Sequence, residues 1–560
     1  WLKSRVEISS LTKAEPPNRT MSSFTDTCEG DACWAAGWLQ HSLTISASIT
    51  SDAVETARLE GPLTSHMSPD SFPTRVVPFD ITVLSILFIL MMTLLCHEIY
   101  AAFRKPLLAN HEEAKSNWMQ VSYLASWFNM FFVIAMTVPV SLDFCMQMGQ
   151  SATMSGFFLS SPIIGSIVGI VVGKIICGEA DWNQLFARRM MVWCGQFSFL
   201  CTLVTAFLLN HSVHLSLSQR RTTFWFIILL LQVSTLVSAM PTVPMLVMQN
   251  KVTPTSEKTF WMIMAQCFRN AGMLVGPGFF ALTAWAVKRG QPVAPTSLMA
   301  WCYLGFLLFG ECLAIYSSMV LPKVLVPLPE EPSAPETEVC VMMLPSTQRE
   351  RVVKNMVWYA LERPFSISAI EVSTIMLLEV SYGWSTELCG TAFTVVAGAS
   401  LIFSAISSVL LSRKFLTESS VFFGANLAGL FGVIFLFDFG TGAAGLLLAD
   451  GMVYGMASVA NGIAEGWASK AAMPGTNFSL EIYRLQNTIA VNCARFVSPI
   501  VARTVLDFGG RNIYACLQLL IVFLGTATVY KTVKMVWDNK GEDEKQTPVL
   551  KKEEAMQDAN

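Results

Sequence analysis

The chain has 560 residues, of which 53% are hydrophobic and only 14% charged, with a formal charge of −3 and a mean hydropathy of +0.50. A soluble domain averages about 25% charged residues, so this much apolar side chain excludes a soluble globular protein of this size. The near-neutral balance also lacks the basic footprint that a nucleic-acid partner requires.

The chain begins at Trp1, which reads as a fragment or as an open frame upstream of Met21. Residues 1–77 hold no basic segment followed by a short apolar run, so no cleavable signal peptide is expected. Their Ser, Thr and Pro content reads as a disordered non-cytoplasmic tail. Cys28 and Cys33 would pair if that tail faces an oxidising compartment. Cys96, Cys145, Cys177, Cys194, Cys201 and Cys267 fall in apolar runs, where cysteine packs as a small hydrophobe.

Crossing a bilayer core takes roughly 20 apolar residues, and thirteen segments qualify. One stands apart at 81–103, an extra transmembrane helix within 78–104. Six follow at 120–142, 153–177, 189–210, 222–248, 259–287 and 297–321, forming an N-terminal bundle over 117–321. A polar stretch, 322–364, reads as a central cytoplasmic loop. Six more, at 365–386, 389–411, 418–438, 443–466, 484–506 and 512–533, form a C-terminal bundle over 365–534. The charged end, 535–560, reads as a disordered cytoplasmic tail. The fold class is therefore an all-α polytopic membrane protein of two six-helix bundles plus one helix.

Basic residues set the orientation. With the N-terminus outside, cytoplasmic segments collect Arg104, Lys105, Lys115, Lys174, Arg188, Arg189, Lys251 and Lys258, then the basic residues of the central loop, later loops and tail. The outer side keeps only Arg220, Arg221, Lys288, Arg289, Arg503 and Arg511. Of the glycosylation sequons, those at Asn18 and Asn210 fall outside and that at Asn477 inside.

The two six-helix sets read as copies. The fifth helix of the first carries Ala265, Gln266, Cys267 and Arg269; the fifth of the second carries Val491, Asn492, Cys493 and Arg495. The preceding loops share a lysine and a proline, Lys251 with Pro254 and Lys470 with Pro474. Parallel six-helix halves are a known transporter plan.

Over residues 117–534 the chain resembles the major facilitator superfamily. Gly272, Gly276, Pro277 and Gly278 look like its Gly-x-x-x-Gly-Pro motif. The loop after the second core helix departs from the family pattern. Gly169 is followed by Gly173 and Lys174, with Asp181, Arg188 and Arg189 further on, and no aspartate stands at the usual spacing. The Lys-x-x-Pro loop followed by an arginine is similar to the vacuolar phosphate transporters that join an SPX domain to a facilitator, and to lysosomal relatives of the ceroid-lipofuscinosis type. No SPX domain is evident here. The resemblance implies two rocking bundles around a central site, no cofactor, and a small-molecule solute as partner.

Ionisable groups inside spans are costly, and are functional or paired. Arg269 and Arg495 lie about 16 Å into their helices, near the midplane. Guanidinium binds carboxylate and phosphate bidentately, so the pair favours an anionic substrate; the alternative is neutralisation of a buried carboxylate such as Glu379 or Asp450. Asp450, Tyr454, Asn461 and Glu465 fall within about 60° of one another on a helix. They line either a watery path or an interhelical seam. Glu371 and Glu379, before Tyr382 and Gly383, are proton-coupling candidates, because burial favours a neutral carboxyl group; Glu371 reads alternatively as a wet residue at the cytoplasmic end. Asp143, closing the first core helix after Pro139, reads as an outer-gate or simple interfacial residue. Glu311 reads as a partner for a basic group. Pro241 and Pro244 are expected to bend the fourth core helix. Substrate-binding candidates are thus Arg269, Arg495, Asn492, Asp450, Tyr454 and Asn461, and coupling candidates Glu379, Glu371 and Glu465. Gly272, Gly276, Pro277, Arg188 and Arg189 form the conformational motif.

No histidine falls in the predicted core spans, no metal site is read, and no phosphate-binding loop with its lysine and hydroxyl occurs. A secondary transporter driven by a proton gradient is the expected function. The rivals are an anion channel or a lipid flippase on the same fold, a receptor of this fold, and a multi-pass membrane enzyme, for which no nucleophile–base cluster is seen.

Overall fold

A computed structural model describes residues 63–64, 67–103, 116–177, 184–242, 258–320, 344–413, 415–473 and 475–557. The chain divides into two units, Trp1–Asp52 and Ala53–Asn560; the first lies outside the described residues, as do Asn18, Cys28, Cys33, Pro244 and Pro254.

All regular structure among the described residues is helical. After a 3-10 turn at Pro69–Ser71 come α1 (Ile81–Phe103), α2 (Ser116–Thr137), α3 (Ser141–Gln147), α4 (Ala152–Cys177), α5 (Gln184–Ser212), α6 (Leu217–Ala239), α7 (Lys258–Lys288) and α8 (Pro295–Val320). The second set is α9 (Ser346–Val380), α10 (Thr386–Ser412), α11 (Glu418–Ile434), α12 (Gly442–Ala471) and α13 (Leu480–Gln557). Eight described helices are long and apolar enough to cross a membrane, and α2 with α3, bent by 51°, forms a ninth such span. The protein is a multi-pass integral membrane protein.

Local chemistry sets the boundaries. Asp80 accepts the Thr82 N–H at 2.7 Å before α1, and that bond holds its carboxyl below the usual range. Ser385 and Thr417 cap α10 and α11 through the N–H groups of Leu388 and Ser420. α9 stops at Val380, and Gly383 takes the left-handed φ of 65° that lets the chain turn back. Gly510, at φ 70° and ψ −175°, kinks α13 into the two arms read from sequence as separate spans.

Several sequence boundaries are corrected. α9 starts at Ser346 rather than 365, so much of the supposed central loop is helix. Hydropathy missed it because it carries charges, which find partners in the fold. Lys354 pairs with Glu350 at 2.6 Å, and Arg349 donates to the carbonyls of Lys470, Ala471 and Ala472, closing the end of α12. α13 continues as helical backbone to Gln557, beginning with the buried Val533 and Val536, where a loose tail was expected. Asp143 does not close α2; it sits in the first turn of α3, beyond the bend. α6 ends at Ala239, just before Pro241, and residues 243–257 lie outside the described residues. His211 falls in the last turn of α5. The Asn210 side chain, whose sequon was expected on the outside, accepts a bond from Ser297 Oγ at 2.9 Å.

Packing repeats between the two sets. In the first, α2 lies along α7, α4 along α6, and α5 against α6 and α8; in the second, α9 lies along α13, α10 along α12, and α11 against α12 and α13. Between sets, α4 meets α13 and α7 meets α10. α1 packs on α8, outside the repeat. The glycines of the Gly-x-x-x-Gly-Pro motif make α2 and α7 approach closely. A Cβ on Gly272 would strike the Phe128 carbonyl, and one on Gly276 would come within 2.8 Å of both Ala135 Cβ and the Phe132 carbonyl.

Candidate functional site

Where the two sets face each other, four helices bring polar groups together around a ring supplied by a fifth. α2 supplies Phe131, 3% exposed. The Arg269 guanidinium of α7 lies over that ring at 4.4 Å, and the Arg495 guanidinium of α13 at 4.7 Å. Both are cation–π distances. Glu371 of α9 and Tyr454 of α12, each 3% exposed, interact electrostatically with both arginines. Glu465, further toward the inner end of α12, does so with Arg269 and Arg484, and accepts from Asn461 at 3.2 Å. Asn492 is buried one turn before Arg495.

Neither arginine forms an ion pair within 4 Å among the described residues. Arg495 Nε and Glu371 Oε1 are buried without a hydrogen-bond partner. Two like charges sharing one ring repel, and orphaned donors and acceptors cost about 1–3 kcal/mol each. Placing an anion with acceptor oxygens between the guanidiniums would offset both costs.

The sequence candidates divide on this geometry. Arg269, Arg495, Glu371, Tyr454 and Glu465 converge. Glu371 is not the wet cytoplasmic residue of the alternative reading, because α9 begins far earlier and carries it into the bundle. Asp450 goes elsewhere: it accepts from Thr374 Oγ1 at 2.5 Å and lies near Tyr514. Its partners all belong to the second set, so Asp450 is part of an interhelical seam, and Tyr454 and Glu465 alone of the stripe reach the arginines. Glu379 and Asp450 are not the arginines' counter-ions. Glu311 accepts from the amide of Gln196 at 2.9 Å rather than from a basic group. Arg188 and Arg189 lie on the α5 backbone; their side chains are outside the described residues, as is that of Gln266.

A second polar layer lies at the end that the charge bias assigns to the outside. Glu379, with both carboxylate oxygens unpartnered, interacts with Asp143 and Arg503. Asp143 accepts from Thr386 Oγ1 at 3.0 Å. Arg503 is 0% exposed and donates to Ser141 Oγ at 3.2 Å. Lys288 of α7 pairs with Glu387 of α10, and Thr153 bonds Thr504 at 3.1 Å. These four bonded contacts join one set to the other, all at this end; no such bond is seen at the opposite end among the described residues. Arg503 was counted among outer-loop charges, although it stands eight residues after Arg495 in the same apolar run, which was signal enough to place it in the bundle. Phe131 gave no signal, being one of three phenylalanines at 128–132.

No protein-family model matches the sequence, and no curated protein sequence matches it. Solved structures do match the fold. A D-xylose-proton symporter aligns over 72% of this chain and 96% of its own, at 14% identity and a TM-score of 0.51. A bacterial homologue of the human lysosomal transporter Spinster, inward-facing and unoccupied, aligns over 77% and 99%, at 10% identity and 0.50. A bacterial homologue of the iron transporter ferroportin, inward-facing, aligns over 75% and 98%, at 12% identity and 0.50. The chain has the fold of these transporters.

Proposed function

We propose that this protein is a secondary transporter of the major facilitator type that carries a small anionic solute by alternating access, with Arg269 and Arg495 as the anion clamp. The observation that carries the reading is the pair of guanidiniums over the Phe131 ring, neither within 4 Å of a carboxylate among the described residues. A site between two halves that, among the described residues, are bonded to each other at one end only is what rocking requires. The similarity to solved transporters, two of them inward-facing, supports the same reading. Glu371, beside the clamp, and Glu379, in the outer layer, are the coupling carboxylates, with the proton as coupling ion. Phosphate is the first probe, because the closer sequence resemblance is to vacuolar phosphate transporters.

The test is uptake of labelled phosphate into liposomes under an imposed pH gradient, alongside Arg495→Ala. Uptake abolished in a variant of unchanged melting temperature supports the reading. Folded protein that moves neither phosphate nor any of a panel of organic acids overturns the anion assignment. An anion channel is the second reading; it predicts sustained current across a planar bilayer, whereas the bonds tying the outer end favour a carrier.

A further inference from the structure

Before α1, in a segment expected to be loose, the described residues 63–64 and 67–80 are fastened to both halves at the outer end. Toward the second half, Thr64 donates its N–H and its Oγ1 to one oxygen of Asp507, at 3.1 and 2.9 Å, and Leu63 N–H donates to the Asp507 carbonyl at 2.9 Å. Thr64 is 6% exposed and Asp507 likewise. Toward the first half, the Pro73 carbonyl accepts from Gln147 at 3.3 Å and the Arg75 carbonyl from Ala294 N–H at 2.9 Å. Val77 exchanges bonds with Ser297 and Trp301 at 3.2 Å each. Phe79 packs edge-on against Phe207, and α1 behind it lies on α8. The anchor is therefore in the first half and the reach is to the second.

Between these fastenings, Leu63, Met67 and Phe72 pack against a core that mixes Leu142 and Met146 of α3 with Leu506 of α13 and Leu436 after α11. Those side chains cover the seam where the outer mouth would part. Parting it carries Asp507 away from Gln147 and Ala294. The chain from Thr64 to Pro73 could extend to about 30 Å, but it is shortened by the turn at Pro69–Ser71, which Ser71 closes by donating twice to the Ser68 carbonyl. Outward opening must then break the Thr64–Asp507 bonds or unwind that turn, and lift the apolar side chains.

We propose that Leu63, Thr64 and residues 67–77 form a strap and plug that hold the outer mouth shut, with Thr64–Asp507 as the releasable catch. The inference rests on the alternating-access reading, but its test needs no substrate. Hydrogen–deuterium exchange is measured on the full chain in lipid nanodiscs for the wild type, for Thr64→Val, and for protein cleaved at a protease site inserted after the exposed Asp70. Peptides covering 138–147 and 384–390 are expected to exchange about tenfold faster in both altered proteins, the factor expected for losing one hydrogen bond to a charged group. Peptides at the α5–α6 contact should be unchanged. Crosslinking the Thr64→Cys, Asp507→Cys double variant should slow the same outer peptides. Cleaved protein with an intact α5–α6 contact and unaltered exchange at 138–147 would overturn the strap, while leaving the transport reading to stand or fall on liposome uptake.

Discussion

Arg269 and Arg495 occupy matching places in the two sequence repeats, and both guanidiniums end over one ring that belongs to the first half alone, that of Phe131. The repeat supplies two cations related by the pseudo-symmetry of the halves; the ring sets where they meet. A solute bound there contacts both halves at once, as rocking about a central site requires.

The two origins of such a pair separate by stability. If each arginine neutralised a buried carboxylate, Arg495→Met would cost about 3–5 kcal/mol by stranding that charge. If the pair is a clamp, the same change relieves repulsion in the unliganded protein. Arg495→Met and Arg269→Met are expected to hold or raise the melting temperature within about 1 kcal/mol, and to weaken anion binding at least about tenfold. Arg495→Lys should recover little, because a lysine cannot bind bidentately. A marked fall in melting temperature without ligand would return the arginines to a structural role.

Among the described residues, Glu371 is the one carboxylate facing both arginines from a nearly sealed position. Glu371→Gln removes its charge and keeps its shape. Anion binding at fixed pH should persist or tighten, by up to about tenfold, while a pH gradient should no longer drive accumulation. Calorimetric titration of the purified variant reads the first quantity and liposome uptake the second. Loss of binding comparable to that of the arginine variants would show that Glu371 holds the solute or the fold rather than the coupling.

How much of this was legible in sequence follows from which signals survive averaging. A lone arginine in an apolar run is conspicuous, so Arg269 and Arg495 were found, and the helical offsets of Tyr454 and Glu465 correctly gave them one face. The same offsets could not say what that face meets, and Asp450 turned to Thr374 within its own half. Charges clustered near a helix start mislead in the other direction. Arg363 made residues before 365 look like loop, yet it is 0% exposed, its Nε donating to Tyr359 of α9 at 2.8 Å and its Nη2 to Asn426 of α11 at 2.6 Å. Partners distant in sequence, as with the Thr64–Asp507 catch, leave no local trace.

The Arg363 cluster lies wholly inside the second half. Arg363→Leu is expected to lower stability by about 3 kcal/mol, since it leaves the Glu362 carboxylate, 4.0 Å from the guanidinium and buried without a hydrogen-bond partner, with no counter-charge. Asn426→Ala should cost about 1–3 kcal/mol. Thermal unfolding followed by size exclusion reads both. Transport per folded molecule should be unchanged, which separates this cluster from the central arginines.

Gly276→Val probes the α2–α7 approach. The added carbons would meet the Phe132 carbonyl, and backbone of a packed helix cannot yield as a side-chain tip can. Overpacking of this kind costs about 1–3 kcal/mol. Gly278→Ala, two residues on, meets only Thr394 at 3.4 Å and should be nearly neutral. Equal melting temperatures for the two variants would remove close helix approach as the reason for the motif.

Lys288 and Glu387 test the outer closure by charge alone. Their side chains are 28% and 23% exposed, so solvent screens the pair and its worth is about 0.5–1 kcal/mol. That is small against folding but comparable to the gap between two conformers of a carrier, where it changes a population about two- to fivefold. Lys288→Glu puts two like charges across the α7–α10 contact and should shift the protein toward outward-open. Glu387→Lys should do the same from the other side. The double exchange restores attraction with the signs reversed and should return exchange rates at 384–390 to the wild-type value, whereas 0.5 M salt should shrink all three effects. A double exchange as open as either single variant would mean that the contact closes the mouth through the geometry of these two residues, not their charge.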